Sequence, residues 1–459
     1  MSAAGTPDPP SADEAELAAI VAGVVERAGP GEQVEAYAGR GTSTTVRVHG
    51  GRVESLTSAG SAGVGIRVVV GGRQGFAHCG TLDPEVVAET LAEARDNARF
   101  AEVDPWAGLA EPDGAPVVAQ ERWDPSVAAW STDDKVALAL DLEARVTGRD
   151  PRVRRVRTAT YADGAGAAAV ATSTGIAVAG RGTSCSLSVT ALAEDGDELR
   201  QGVGYDVARG PDGVSVAVAA DDALERATGL LGARPSPSRR LTVVLEPRVA
   251  AIVLGIAGGT LTGERVVKGR SPFAERRGEA IASPLVHLVD DPTDARSFGA
   301  DDHDGEGLAC RRNVLIDDGV LVGFLDNAWT GRRRGVTSTG SAVRSYRSTP
   351  GVGCQALAIR PGPTRPEALI GHVTDGLLVR SLSGLHSGVN AVSGDVSVGA
   401  EGLAIRNGVL AEPVKEVTLA STLQRLLLGI EAVGDDLEWL PGGTGAATLV
   451  IGDVTLSGS

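Results

Sequence analysis

The sequence predicts an α+β protein: an N-terminal two-layer domain with an antiparallel sheet and helices, then a C-terminal mixed domain rich in β-hairpins. Three observations predict it. Apolar runs at helical spacing alternate with stretches of period two. The period-two stretches meet at Gly-Gly, Asp-Gly and Asn-Gly pairs suited to tight turns. The chain of 459 residues exceeds the span that a single hydrophobic core usually serves, about 250 to 300 residues, so more than one domain is expected.

Residues 1–12, rich in Pro, Ala and Ser, are expected to form a disordered tail. The N-terminal domain is assigned to 13–125. From Asp13 to Ala28, Leu17, Ile20, Val21, Val24 and Val25 recur at helical spacing. The period then changes to two in "STTVRVHGGRVESLTSA", which reads as two strands around Gly50-Gly51. A second hairpin, "GVGIRVVVGGRQGFAH", turns at Gly71-Gly72. Asp83 and Pro84 then open a helix as N-cap and first helical residue, where a missing N–H costs nothing.

A middle segment, 126–231, begins with a helix from Ser131 to Val146 and ends with another from Val214 to about Leu231. Between them lie strand-like stretches "RRVRTATYAD", "AAAVATSTGIAVAGRG" and "SCSLSVTALAED". Residues 232–240, "GARPSPSRR", read as a linker, because prolines and like charges do not fit an element interior. The C-terminal domain, 241–459, opens with the strand "LTVVLEP" and an apolar helix, and continues through hairpins at "VLIDDGVLVGFL" and "LAIRNGVLAEPV".

Composition narrows the function. A net charge of −16 from acids spread along the chain repels a phosphate backbone, so no nucleic-acid partner is expected. Of 43 basic residues only Lys135, Lys268 and Lys415 are lysine, a bias that suits a GC-rich genome rather than a particular activity. The four cysteines, Cys79, Cys185, Cys310 and Cys354, lie far apart without a CxxC spacing and read as small buried hydrophobes in a reducing compartment. With no signal sequence and no run approaching the roughly 20 apolar residues of a membrane helix, a cytoplasmic protein is expected, with no membrane partner.

Three stretches could carry chemistry. Residues 299–307 crowd Asp301, Asp302, His303, Asp304 and Glu306 like cation ligands, but lack the remaining EF-hand ligands and read as a solvated acidic loop. Residues 383–402 hold His386, Ser387, Asn390 and Asp395. A Ser-His-Asp triad is one reading, but without a G-x-S-x-G elbow a glycine-rich loop bordering a groove is the simpler one. Residues 338–353 place Arg344, Tyr346 and Arg347 in a Gly/Ser loop expected to be exposed, where a guanidinium fork could grip a peptide carboxylate or backbone. Arg344, Tyr346, His386 and Asn390 are therefore the candidate substrate-binding residues. The apolar helix is different: from Val249 to Leu261 it contains no His, Cys, Asp or Glu, hence no metal ligand.

The stretch "STTVRVHGGRVESLTSAGSAGVGIRVVVGGRQGFAH" with "EARDNARF" resembles the N-terminal domain of the TldD/PmbA family. The resemblance continues through "DDHDGEGLACRRNVLIDDGVLVGFL", "SGDVSVGAEGLAIRNGVLAEPVKEVTLA" and "AVGDDLEWL", covering nearly the whole chain from about residue 13. It implies a two-subunit metallopeptidase holding an extended peptide between its subunits. In the TldD-type subunit an H-E-x-x-G-H helix binds zinc, its Glu serving as base, and a C-G-K-x-G-Q segment adds a cysteine ligand. Here Leu254, Gly255 and Gly259 fall at the two His and the Glu of that helix, and "DDLEWLPGGTG" passes to "AATLVIGDVTLSG" without the cysteine. The resemblance thus implies the PmbA/TldE-type subunit, with no cofactor of its own, no catalytic residue, and zinc in a TldD-like partner of a heterodimer. Two alternatives remain: a stand-alone hydrolase using a site such as His386 with Asp395, and a non-enzymatic peptide-binding or assembly protein.

Overall fold

A computed structural model describes residues 11–458. Its first helix starts where side chains replace the missing intrahelical partners: the Ser11 hydroxyl accepts the Glu14 N–H at 3.2 Å, and the Ser11 N–H donates to the Glu14 carboxylate at 2.8 Å. The tail expected over 1–12 lies outside the described residues up to residue 10. Ser11 is the N-cap, and Ala12 the first residue, of helix α1 (Ala12–Val25). Asp83 caps α2 (Pro84–Phe100). After a short α3 (Ser126–Ala129), Ser131 caps α4 (Thr132–Val146). The last helix before the C-terminal part is α5 (Val216–Thr228).

The two N-terminal hairpins share a strand. Gly50-Gly51 joins β1 (Glu32–His49) to β2 (Arg52–Val70), and Gly71-Gly72 joins the same β2 to β3 (Arg73–Cys79). The middle segment supplies β4 (Val153–Thr172), β5 (Ala177–Asp195) and β6 (Glu198–Ala208). Because β4 pairs antiparallel with β1 from Glu35↔Thr172 to Val48↔Ala159, both segments build one six-stranded sheet, ordered β3-β2-β1-β4-β5-β6. The boundary drawn at 125/126 therefore separates two stretches of chain, not two sheets.

Helices cover this sheet at its two ends. Leu17, Val21 and Val24 of α1, with Val87 and Leu91 of α2, bury Val34, Val64 and Ile66. At the other end Ala139 and Leu142 of α4, with Ala219 and Ala223 of α5, bury Val46, Tyr161 and Leu187. Between these cores the strands run through Gly, Ala, Ser and Thr, with pairs such as Gly39↔Gly63, Gly41↔Gly166 and Gly166↔Gly182. Side chains this small offer a helix little apolar area to bury, so the middle of the sheet is left to loops from the C-terminal domain.

The stretch read as a linker is anchored at both ends: Arg234 bridges to Val414, Ser236 is buried, and Arg239 already begins β7 (Arg239–Leu245). β7 runs parallel to Asp375–Ser383 and antiparallel to Leu449–Ser457 within a six-stranded sheet; a second six-stranded sheet, built of shorter strands, contains Leu288–Asp290, Asn313–Asp317 and Leu357–Ile359. The Asp-Gly and Asn-Gly turns take the expected left-handed backbone, with φ 42° at Asp318 and 49° at Asn407. Helix α6 (Pro247–Thr260) packs into the largest core beside Leu357, Leu377 and Leu449. Among the described residues no helix is long and apolar enough to cross a membrane.

Candidate functional site

Strand alternation decides which side chains meet the C-terminal domain. Val34, Ala36 and Ala38 point into the helix-covered core, so Glu35 and Tyr37 point to the opposite face of β1, and Arg67 lies directly across from Glu35 on β2. Arg67 grips Glu35 with a two-pronged fork, at 3.0 Å from Nε and 2.6 Å from Nη2. Two C-terminal residues complete the cluster. Glu306 approaches Arg67 Nη2 at 3.5 Å, and Arg344 Nη1 donates to Glu35 while its guanidinium lies 5.0 Å over the Tyr37 ring.

All four charged side chains are at most 3% exposed. Burial alone would raise the Glu35 pKa, but Arg67 and Arg344 together hold it below the ordinary carboxylate value. Burial raises the Glu306 pKa, against the pull of Arg67. Glu306 also accepts the Ala328 N–H at 2.8 Å, at the start of the helix Ala328–Arg334. The cluster therefore joins the N-terminal sheet to the C-terminal domain through charge.

Two expectations change here. The sequence sets Arg344 in a Gly/Ser loop that reads as exposed, but its side chain is 0% exposed because the loop folds back onto the bare sheet. The acidic loop is not solvated throughout either. Asp304 is buried and accepts the N–H groups of Glu306, Leu308 and Ala342 at 2.9–3.0 Å, which pins the loop. Burial, with Glu306 nearby, pushes its pKa up to about 7. Tyr346 fills a slot made by small residues: a Cβ on Gly63 would lie 2.4 Å from its ring. Between loop and sheet remains a cavity of about 250 Å³, reached by Tyr37, Arg122, Asp301 and His303. Arg122 binds Asp301 at 2.7 Å, and burial lowers the His303 pKa, which favours a neutral imidazole.

His386 and Asn390 lie elsewhere, in the loop after Asp375–Ser383. His386 is exposed on the short helix Leu385–Gly388, and the Asn390 side-chain Oδ1 accepts the N–H groups of Val392 and Ser393 in its own turn. Among the described residues no hydrogen bond, ion pair or ring contact links this pair to Arg344 or Tyr346. Ser387 donates to the Gly384 carbonyl and Asp395 accepts from Ser393, so His386, Ser387 and Asp395 are not assembled as a triad.

The α6 positions divide between two faces. Leu254 is fully buried in the core, whereas Gly255 and Gly259 are exposed and a Cβ on either would meet nothing within 4 Å. None of the three offers a donor atom, so these residues do not fit zinc. The one group of three metal-type side chains found among the described residues is His287, Asp317 and Asp318. There His287 Nδ1 donates to Asp317 at 2.6 Å, Nε2 accepts from Arg312 at 3.1 Å, and Arg360 lies 3.6 Å from Asp318. Both ring nitrogens and both carboxylates are already engaged by protein groups.

Three family models cover most of the chain: the PmbA/TldA metallopeptidase domain 1 at residues 34–98, the central domain at 125–231 and the C-terminal domain at 238–458. The chain belongs to the PmbA/TldD metallopeptidase family. Metalloprotease PmbA of Escherichia coli O157:H7 is 26% identical over 89% of each chain. The metalloprotease TldD homolog of Haemophilus influenzae is 30% identical over 52% of this chain and 53% of its own length. The fold matches that of TldE from Thermococcus kodakarensis, with a TM-score of 0.84 and 23% identity over 93% of this chain and 97% of that one. A Thermotoga maritima crystal structure matches at 0.87, with 24% identity over 97% and 100%.

The residues missed from sequence were Glu35 and Arg67. The signal was present: each is a charge inside an otherwise apolar, alternating strand, "QVEAYA" and "VGIRVVV", where a buried ion must have a partner.

Proposed function

We propose that this chain is the metal-free, PmbA/TldE-type subunit of a heterodimeric peptidase, pairing in the cytoplasm with a TldD-like subunit that holds zinc. Its role is to enclose and orient unfolded or small peptides, for general proteolysis or for maturation of a peptide natural product, while the partner hydrolyses the amide bond. The observation that carries this is the surface of α6. At the positions where the family's zinc helix needs His, Glu and His, it presents one core leucine and two exposed glycines.

The test is reconstitution. The chain purified alone is expected to carry no stoichiometric zinc and to leave an unfolded peptide intact. Co-expressed with a TldD-like homologue, it is expected to co-elute as a one-to-one complex whose hydrolysis stops on chelation. Chelator-resistant turnover by the single chain, or one tightly held zinc per chain, overturns the proposal.

A further inference from the structure

We infer that the cavity beside Gly259, the last exposed residue of α6, binds the free C-terminal carboxylate of a peptide. The cavity measures about 360 Å³, and its charged lining is Arg265, Lys268 and Arg270 against the single acid Glu264. Lys268 and Glu264 neutralise each other in an ion pair one helical turn apart. Arg265 and Arg270 are left over: both are exposed, and among the described residues neither guanidinium has a hydrogen bond, an ion pair or a ring contact. Two uncompensated positive charges thus face one cavity in a chain of net charge −16.

The shape of the lining selects a chain end. A Cβ on Gly259 would meet nothing within 4 Å, so the wall there is bare backbone that a second main chain can approach. Gly353 bares another stretch, and its half-buried neighbour Val352 supplies an apolar contact. Glu264 and Lys268 also line an adjoining cavity of about 350 Å³ that reaches Arg67 and Trp329. Their ion pair is therefore the partition between the two cavities. A chain running through would have to break it, whereas a chain that ends here need not.

Chemistry names the end. A guanidinium presents paired N–H donors in a plane, which match the two oxygens of a carboxylate. The carboxylate that every peptide carries at a terminus, whatever its sequence, is the C-terminal one. The field of the whole acidic chain repels any anion at long range, so a preference for the carboxylate has to come from these neighbouring cations.

This inference rests on the peptide-holding role proposed above, but its test needs neither partner nor turnover. The full chain is titrated into three dansyl-labelled tetrapeptides and their fluorescence anisotropy is followed: Ala-Ser-Val-Ala as the free acid, the same sequence as the amide, and Ala-Asp-Val-Ala as the amide. The free acid is expected to bind about tenfold more tightly than either amide, the gain typical of hydrogen bonds to a charged group. Arg265→Gln with Arg270→Gln, both at exposed positions, should erase that preference, and Gly259→Leu should block the free acid by filling the cavity. Equal binding of acid and plain amide, a preference that survives in the double variant, or no saturable binding of the acid below about 1 mM overturns the inference. Binding of the Asp amide as tight as that of the free acid also overturns it, since the site would then read acidic side chains rather than a chain end. Failure to form a heterodimer would sink the subunit role while leaving this result intact.

Discussion

Replacing Arg344 with alanine separates a structural arginine from a substrate-binding one. The side chain is 0% exposed and supplies one of the two cations that hold the buried Glu35 carboxylate. Breaking a buried ion pair from one side typically costs about 3–5 kcal/mol, because the charge left behind has lost its water as well as its partner. Glu35 keeps the two-pronged contact from Arg67, and Arg344 Nε and Nη2 have no partner to lose, so the lower end, about 3 kcal/mol, is expected.

The pH dependence has a definite sign. In the intact protein the Glu35 pKa is depressed, so its ionised form stabilises the fold above the unfolded value of 4.5, and that contribution fades as pH falls through the lower folded value. Without Arg344 the burial penalty is opposed by one cation only, and the folded pKa rises. Protonation then relieves the variant as pH falls, so the loss relative to wild type is largest at neutral pH and shrinks as pH falls through the variant's raised folded value. Urea unfolding of both proteins across this range measures the difference, and Arg344→Lys, which keeps the charge, should recover part of it. A variant of wild-type stability whose reconstituted peptidase nevertheless turns peptide over poorly would refute this account and return Arg344 to the substrate.

Two further outcomes follow from buried groups. Burial raises the Asp290 pKa from 3.8 to about 6, against the pull of the Gln355 and Ala356 N–H groups that one oxygen accepts, while the other oxygen has no partner; Asp290→Asn should therefore gain about 3 kcal/mol on wild type as pH rises from about 4 to 7, and unfolding curves that differ equally at every pH would contradict this. Grafting Leu254→His, Gly255→Glu and Gly259→His should bind no zinc by elemental analysis. It should also cost about 2–5 kcal/mol, chiefly from the polar ring placed at the fully buried Leu254, which Gly255→Glu with Gly259→His alone should not show.

The sequence by itself determined what depends on near neighbours. Caps at Ser11, Asp83 and Ser131, the Gly-Gly and Asp-Gly turns and the helical run in α6 are local hydrogen-bonding and dihedral preferences, legible wherever they occur. The lack of ligands along α6 was equally plain, because an absent imidazole needs no fold to be recognised. Tertiary structure decided the rest. Nothing local shows that β2 serves two hairpins, that β4 returns to pair with β1 some 120 residues after it, or that the 344–347 loop lies on a band of glycines. Arg344 looked solvated because its neighbours are Gly and Ser. Its burial comes from Glu35, 309 residues away, whose charge compensates the lost water and whose position is set by strand register rather than by any motif.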